Sequence, residues 1–366
     1  MKKLLYSFAV LLLATACGQD TFTVKGTVTD ADRLPEGAVI ALTDATGAEI
    51  ATAPITDGTF TLKGDANPEK MYNVKVSWPE RTPRDRSWAT AFIPEKGTIN
   101  VTLAPEESTV EGGSINKAYR DFQQQMRDLF TDFQEKATAM EAEGQEKVEA
   151  LYKDFNDKVA SLSKDAIGKN AKNYIALAAL QNIIYDLDLD ELKSTVAKCG
   201  DFVKNDETTK RIIQCKEAEL ETAEGKPFVD FAGKTPEGAE VKLSDYVGKG
   251  KWVLTDFWAS WCGPCMREIP NIKKTHETLS GDNFTVLGVA VWERNGDNTA
   301  SAQTMEKMGM TWPQIFVGDD KTPTDSYGIV GIPALILFAP DGTICKRGEE
   351  LRGENMLETI SGLINP

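Results

Sequence analysis

Histidine is the scarcest feature of the sequence: among 366 residues only His276 carries an imidazole. Standing alone it assembles neither a Cys–His nor a zinc site, so it is expected at the surface, and no metal or other cofactor is expected. Positive charge is also short, with 41 Lys and Arg against 56 Asp and Glu and a net charge of −15. A polyphosphate would be repelled, which excludes nucleic acid as a partner. Glycine-rich phosphate loops are missing, and with them the usual sign of a nucleotide site. Beyond residue 13 no apolar stretch is long enough to cross a bilayer. An apolar content of 41% with 27% charged residues is that of a folded chain rather than a disordered one. The length predicts two or three domains.

The first residues stand apart. Lys2 and Lys3 precede an apolar run, Leu4 to Leu13, too short to span a membrane comfortably, and Ala14, Thr15 and Ala16 are small residues ahead of Cys17. This pattern resembles the lipobox of bacterial lipoproteins, although Ala14 stands where leucine is more usual. It implies that residues 1–16 are a signal peptide and that Cys17 is lipidated at the start of a short tether, 17–20. An ordinary secretory signal is the alternative. Either way the chain is exported, with its domains expected in the periplasm of the cell envelope. There paired cysteines oxidise unless something reduces them.

Residues 21–105 alternate with the two-residue period of strands, with turns at Asp44–Gly47, Asp57–Gly58 and Gly64–Asp65. They predict an antiparallel β-sandwich. Trp78, Trp88 and Phe92 either pack within it or form a binding surface. Residues 106–114 read as a linker. From 115 the apolar positions Tyr119, Phe122, Met126, Leu129, Phe133, Ala137 and Met140 recur at spacings of three and four, and Val148, Leu151, Tyr152, Phe155, Val159 and Leu162 continue them. This predicts one long helix or two broken near Gly144, with Phe130 widening a stripe expected to be buried against a mate at Tyr174–Ile184 rather than to dock a partner. Two further helices, over 188–199 and 206–223, complete an α-helical domain spanning 115–223. Asp188 with Glu191 fits a capping box. Cys199 and Cys215 would face each other across a helical hairpin, and in an exported protein a structural disulfide is expected. A second redox pair is the other reading.

The most informative stretch is Trp258–Cys265, in which Cys262 and Cys265 are separated by Gly263 and Pro264. A buried strand is predicted before it, over 251–257, and a helix after it. Two thiols at a helix start form a redox pair rather than a metal knuckle, because the free N–H groups and the helix dipole favour a thiolate there. Thr255–Cys265 resembles the active site of the thioredoxin superfamily. Gly225–Phe231, Leu243–Lys249 and Gly331–Pro333 resemble its TlpA/ResA branch of membrane-tethered thiol-disulfide oxidoreductases. The β domain resembles one of unknown function that precedes such domains in Bacteroidetes lipoproteins. The resemblance implies an α/β thioredoxin fold over 224–366 and a protein-disulfide reductase.

On that resemblance Cys262 is the expected nucleophile and Cys265 the resolving thiol, and the two form a redox disulfide. The resemblance implies that Asp256 takes the proton of Cys265, a purely structural carboxylate being the alternative, and that Pro333 is cis rather than an ordinary turn proline. Ile332 and Pro333 present backbone to an extended substrate, and Trp258 and Trp261 supply an apolar platform. Glu268 matches an acid near the cysteines in the ResA-like branch, or is a solvated charge. Cys345 is expected as a small buried hydrophobe. The implied partners are protein disulfides and a membrane thiol-disulfide electron donor. Alternatives are an oxidant or isomerase, a peroxidase of the same fold, or a client-binding scaffold lipoprotein. The peroxiredoxin signature is missing, since Thr255 and Ala259 occupy its other positions.

Overall fold

The computed structural model describes residues 20–79, 81–82, 87–140 and 145–365, so Cys17, the leader and Gly144 lie outside the described residues. The chain divides into two compact units. One runs to Leu187 and includes Ser194–Asp206, and the other is made of Asp188–Lys193 and Glu207 onward.

The first unit begins with β1 (Thr21–Val28), β2 (Val39–Thr43), β3 (Glu49–Pro54), β4 (Thr59–Asp65), β5 (Tyr72–Ser77), β6 (Ala89–Phe92), β7 (Gly97–Leu103) and β8 (Thr109–Glu111). They make two four-stranded sheets, ordered β4-β1-β7-β8 and β3-β2-β5-β6. Alternate residues share one apolar core: Phe22, Val24, Leu62 and Ile99 from the first sheet, Ile40, Leu42, Val74 and Phe92 from the second. Each such side chain contributes about 1.5–3 kcal/mol on burial. The sequence predicts antiparallel pairing throughout, and the structure corrects this at one pair of strands. β1 pairs antiparallel with β4 but parallel with β7, Phe22 lying opposite Gly97 and Val28 opposite Leu103. The whole second sheet intervenes between β1 and β7, and a connection of that length permits parallel return. β8 falls in the segment expected to be a linker. Trp88 and Phe92 are core residues, and the Trp88 indole N–H donates to Thr29 O at 2.8 Å.

Helices follow: α1 (Ser114–Met140), α2 (Gln145–Asn170), α3 (Tyr174–Gln181), α4 (Leu189–Ala197), α5 (Asp201–Lys204) and α6 (Glu207–Glu221). The start of α1 is fixed by Glu95, whose carboxylate accepts the N–H groups of Ile115 at 3.0 Å and Asn116 at 2.6 Å. A negative group there satisfies orphan donors and complements the helix dipole. α3 packs on α2 as expected, burying Ile175, Ala176, Ala179 and Leu180. The aromatic stripe is a correction. Phe133 stacks 4.7 Å from Phe155 and 4.9 Å from Tyr152, yet Phe130 and Tyr152 stay exposed, because two helices alone cover only one side of each other's seam. Asp188 Oδ1 accepts the Glu191 N–H at 2.8 Å, the capping half of the expected box.

The expected Cys199–Cys215 disulfide is not formed: both are free, buried thiols. Cys199 turns back on its own helix turn and donates to Thr195 O at 3.4 Å, whereas the Cys215 sulfur faces Asp325 Oδ1 at 3.8 Å. Burial pushes both thiols up, away from the thiolate that exchange requires.

The second unit continues with β9 (Ala232–Lys234), β10 (Glu240–Lys242), β11 (Trp252–Trp258), α7 (Gly263–Leu279), β12 (Phe284–Ala290), α8 (Thr299–Met308), β13 (Gln314–Phe316), α9 (Thr322–Ser326), β14 (Ala334–Phe338), β15 (Ile344–Arg347) and α10 (Met356–Ile364). One seven-stranded sheet runs β10-β9-β13-β12-β11-β14-β15. The helical crossovers make β11, β12 and β13 parallel, while β14 returns antiparallel beside β11. The two-residue period of β11 splits its side chains between two cores. Leu254 and Trp258 face the cluster that holds Cys262, Cys265 and Ile269, and Val253 and Phe257 face the opposite one. Asp256, between Leu254 and Trp258 in that alternation, belongs to the face of the cysteines.

Candidate functional site

Cys262 ends the turn after β11 and is the N-cap of α7. It forms a disulfide with Cys265, with the two Cα atoms 5.3 Å apart. The Cys265 backbone N–H donates to Cys262 Sγ at 3.1 Å, the kind of contact that stabilises a thiolate once the pair is reduced. Pro264 sits in the first helical turn, where its missing N–H costs nothing. Both sulfurs are largely covered, Cys262 being 4% exposed and Cys265 1%.

Beside them the Ile332–Pro333 peptide bond is cis, as expected. The Ile332 carbonyl oxygen lies 3.7 Å from Cys262 Sγ, so the proline loop and the sulfur form one edge. Trp261 is 47% exposed at that edge, its indole N–H donating to Trp292 O at 2.9 Å. Trp258 is not part of it. That ring is completely buried and donates to Gln314 Oε1 at 3.0 Å, so the expected platform is built from Trp261 without Trp258. The strand period explains this, since Trp258 is the last inward-facing residue of β11. Gln314 reaches it by lying over Gly288, where any Cβ would meet the amide oxygen at 2.0 Å.

Behind the disulfide, Asp256 is 1% exposed and neither of its oxygens has a hydrogen-bond partner. Burial first, then the Glu268 carboxylate, push its carboxyl from 3.8 to about 7, against the opposing pull of Arg352. It therefore exchanges a proton near neutrality without a large cost in either direction. Glu268, on α7, is held rather than solvated: its Oε1 accepts from Asn271 Nδ2 at 3.0 Å and from the Gly353 N–H at 2.8 Å. The structure thus brings Cys262, Cys265, Asp256, Glu268, Trp261, Ile332 and Pro333 together in the second unit. His276 is partly buried, bonded to Ser280 Oγ through Nδ1 at 2.5 Å and packed on Trp312. Cys345 is a free thiol half-buried against the same core as the disulfide.

Several neighbours escaped the sequence reading. Glu293 is buried and accepts from the Ser260 N–H at 2.6 Å, Ser260 Oγ at 2.8 Å and Ser301 Oγ at 2.8 Å, latching the loop that carries Trp261 and Cys262. It follows Trp292, a non-glycine residue at φ 55°, and its only sequence signal was its place just beyond the end of a parallel strand, where α/β sheets build sites. Arg352 donates to the Pro333 carbonyl, and nothing in its local pattern marked it. Among the described residues no cluster of His, Cys, Asp or Glu could hold a metal ion, and no helix is long and apolar enough to cross a membrane.

Comparison with known proteins agrees with this geometry. Residues 225–347 match the AhpC/TSA family, and residues 22–119 match a domain of unknown function, DUF4369. The thiol-disulfide oxidoreductase ResA of Geobacillus thermodenitrificans is 32% identical over 124 residues, 34% of this chain and 68% of the relative. ResA of Bacillus subtilis is 27% identical over 144 residues, 39% of this chain and 77% of the relative. Among solved structures, the thioredoxin domain of a thiol-disulfide oxidoreductase from Bacteroides vulgatus aligns with 32% identity and a TM-score of 0.35, covering 39% of this chain and 99% of that one.

Proposed function

The chain belongs to the ResA-like thiol-disulfide oxidoreductases of the thioredoxin fold, and from that premise we propose that it reduces protein disulfides through Cys262 and Cys265 on the periplasmic side of a bacterial membrane. The observation that carries the reading is the Cys262–Cys265 disulfide at the start of α7, backed by a fully buried, unpartnered Asp256.

In the reduced protein the Cys262 thiolate attacks one sulfur of a substrate disulfide, and the other substrate sulfur leaves as a thiolate. A substrate strand lies along the Ile332–Pro333 loop and over Trp261, its backbone pairing with the loop. Asp256 takes the proton of Cys265, and the new thiolate attacks Cys262 Sγ. The bond between Cys262 and the substrate breaks, the second substrate sulfur leaves and collects a proton, and the Cys262–Cys265 disulfide closes. Two electrons have passed to the substrate; one of its two new thiols takes the proton that Cys265 gave up through Asp256, and the other takes its proton from solvent. Glu268 assists by setting the field at Asp256. A membrane thiol-disulfide donor then returns two electrons to the pair. Lipidation of Cys17 after removal of residues 1–16 holds the chain at the membrane, with residues 21–223 outside it, the β domain of that region being a sandwich.

The test uses the full chain. Cys262→Ser should abolish turnover of a disulfide-bonded protein, and Cys265→Ser should accumulate a mixed disulfide that maps to Cys262. Retained turnover in Cys262→Ser, or an adduct mapping to Cys199, Cys215 or Cys345, contradicts the proposal.

A further inference from the structure

Between β15 and α10 the chain makes one short segment that is hydrogen-bonded both to the cis-proline loop and to Glu268. A terminal guanidinium nitrogen of Arg352 donates to the carbonyl of Pro333, the residue that follows the cis bond. The next N–H, that of Gly353, donates to Glu268 Oε1 at 2.8 Å. Arg352 is also the positive charge felt by Asp256, opposed by Glu268. Among the described residues no other charge acts on Asp256, and its neighbours across the sheet are Gly288 on β12 and Leu335 on β14. Cys265, on α7, becomes titratable there only when the disulfide is reduced.

Two buried polar groups are left unsatisfied in this arrangement, Arg352 Nε and both oxygens of Asp256. Holding a guanidinium N–H away from water without a partner is costly, so one contact to Pro333 does not explain why an arginine sits here. The complementary charge of Asp256 does. A buried carboxylate ionises more readily when an opposite charge helps it, and Arg352 pulls on Asp256 in that direction.

We propose that Arg352 is a positioning residue for thiol-disulfide exchange: it fixes the substrate-pairing loop through the Pro333 carbonyl and acts as the counter-charge that lets Asp256 accept the Cys265 proton. The proposal rests on the reading that Asp256 receives that proton. Arg352 exchanges no electrons and no proton. The proton moves from Cys265 Sγ to the Asp256 carboxylate, and the guanidinium stays charged on both sides of the step.

The experiment follows one turnover of the reduced full chain with a glutathionylated peptide across a pH range, resolving attack by Cys262 from release by Cys265. In the unsubstituted protein the release rate should rise with pH through an inflection set by Asp256, and Asp256→Asn should remove that inflection, leaving only the rise that follows ionisation of the Cys265 thiol at higher pH. Arg352→Gln should move the inflection upward by about one pH unit, slowing release about tenfold on its acid side while leaving the alkaline plateau intact. Arg352→Lys keeps the charge but loses the fork geometry, so it should keep the inflection and slow the attack on the peptide. A uniform loss of rate at every pH in Arg352→Gln would reduce Arg352 to a structural role and overturn the proposal. An Arg352→Lys inflection that moves as far as expected for Gln would overturn it too, and that result is readable even if the Gln variant fails to fold. If Cys262→Ser still reacts, or if Asp256→Asn keeps the inflection, the underlying mechanism fails instead. If those controls hold and Arg352→Gln changes nothing, only the role of Arg352 fails.

Discussion

Replacing Asp256 with Asn should make the oxidised protein more stable, and the gain should depend on pH. Asp256 is 1% exposed with both oxygens unpartnered, and its carboxyl is pushed from 3.8 to about 7, chiefly by burial. A carboxyl whose pKa is raised by folding binds its proton more tightly in the native state than in the unfolded chain. Its contribution to stability is therefore complete below the unfolded value, and is lost as pH rises through the folded one. At about 1.4 kcal/mol per pH unit, the rise corresponds to about 4 kcal/mol withdrawn between about pH 4 and pH 8. Asparagine cannot ionise and withdraws nothing. Urea unfolding of the oxidised full chain, followed through the near-ultraviolet signal of the buried Trp258, should give similar stabilities for the two proteins at about pH 4. At about pH 9 the Asn variant should be more stable by several kcal/mol. A difference between the two proteins that is the same at every pH would refute the raised carboxyl, and with it the argument that Asp256 is poised to trade protons.

Two further substitutions probe what holds the units. Glu293→Ala strips the Ser260 N–H, Ser260 Oγ and Ser301 Oγ of their buried acceptor, and should cost about 3 kcal/mol while slowing exchange through looser placement of Trp261 and Cys262. Urea midpoints and exchange rates check both parts; an unchanged exchange rate would remove Glu293 from the site. Glu95→Ala removes the acceptor of the Ile115 and Asn116 N–H groups and should destabilise the first unit by about 2 kcal/mol. The exchange rate on a small disulfide should not change, and a parallel loss of activity would contradict that independence.

The parts of the site legible in the sequence were those fixed by local chemistry. Cys262 and Cys265 at a strand-to-helix turn need only spacing to be recognised, and Asp256 within an apolar run is conspicuous because buried carboxylates are costly. Elements with a strong period also read correctly, from the alternation of β11 to the three-and-four spacing of α1 and α2. What failed depended on contacts between distant segments. The register of β1 against β7 is set by a sheet that folds between them, and no local pattern encodes it. Cys199 and Cys215 looked like partners from helix spacing, but each thiol is committed to another neighbour, Thr195 O and Asp325. Trp258 and Trp261 are three residues apart and alike in type, yet the pleat buries one and leaves the other 47% exposed. Glu293 and Arg352 act through Ser260 and Pro333, partners that lie 33 and 19 residues away. β13 and α9 were missed because three and five residues are too few to show a period.

The central claim is that Cys262 and Cys265 serve as a reductant, and the reduction potential of the pair tests it most directly. The full chain would be equilibrated in glutathione buffers of graded composition and the fraction of Cys262–Cys265 disulfide read by alkylation and mass analysis. The account predicts a value near about −250 mV or lower, in the range of thioredoxin. A value above about −180 mV would mean that the reduced form is strongly favoured, and would contradict the account by making the protein an oxidant or isomerase of disulfides.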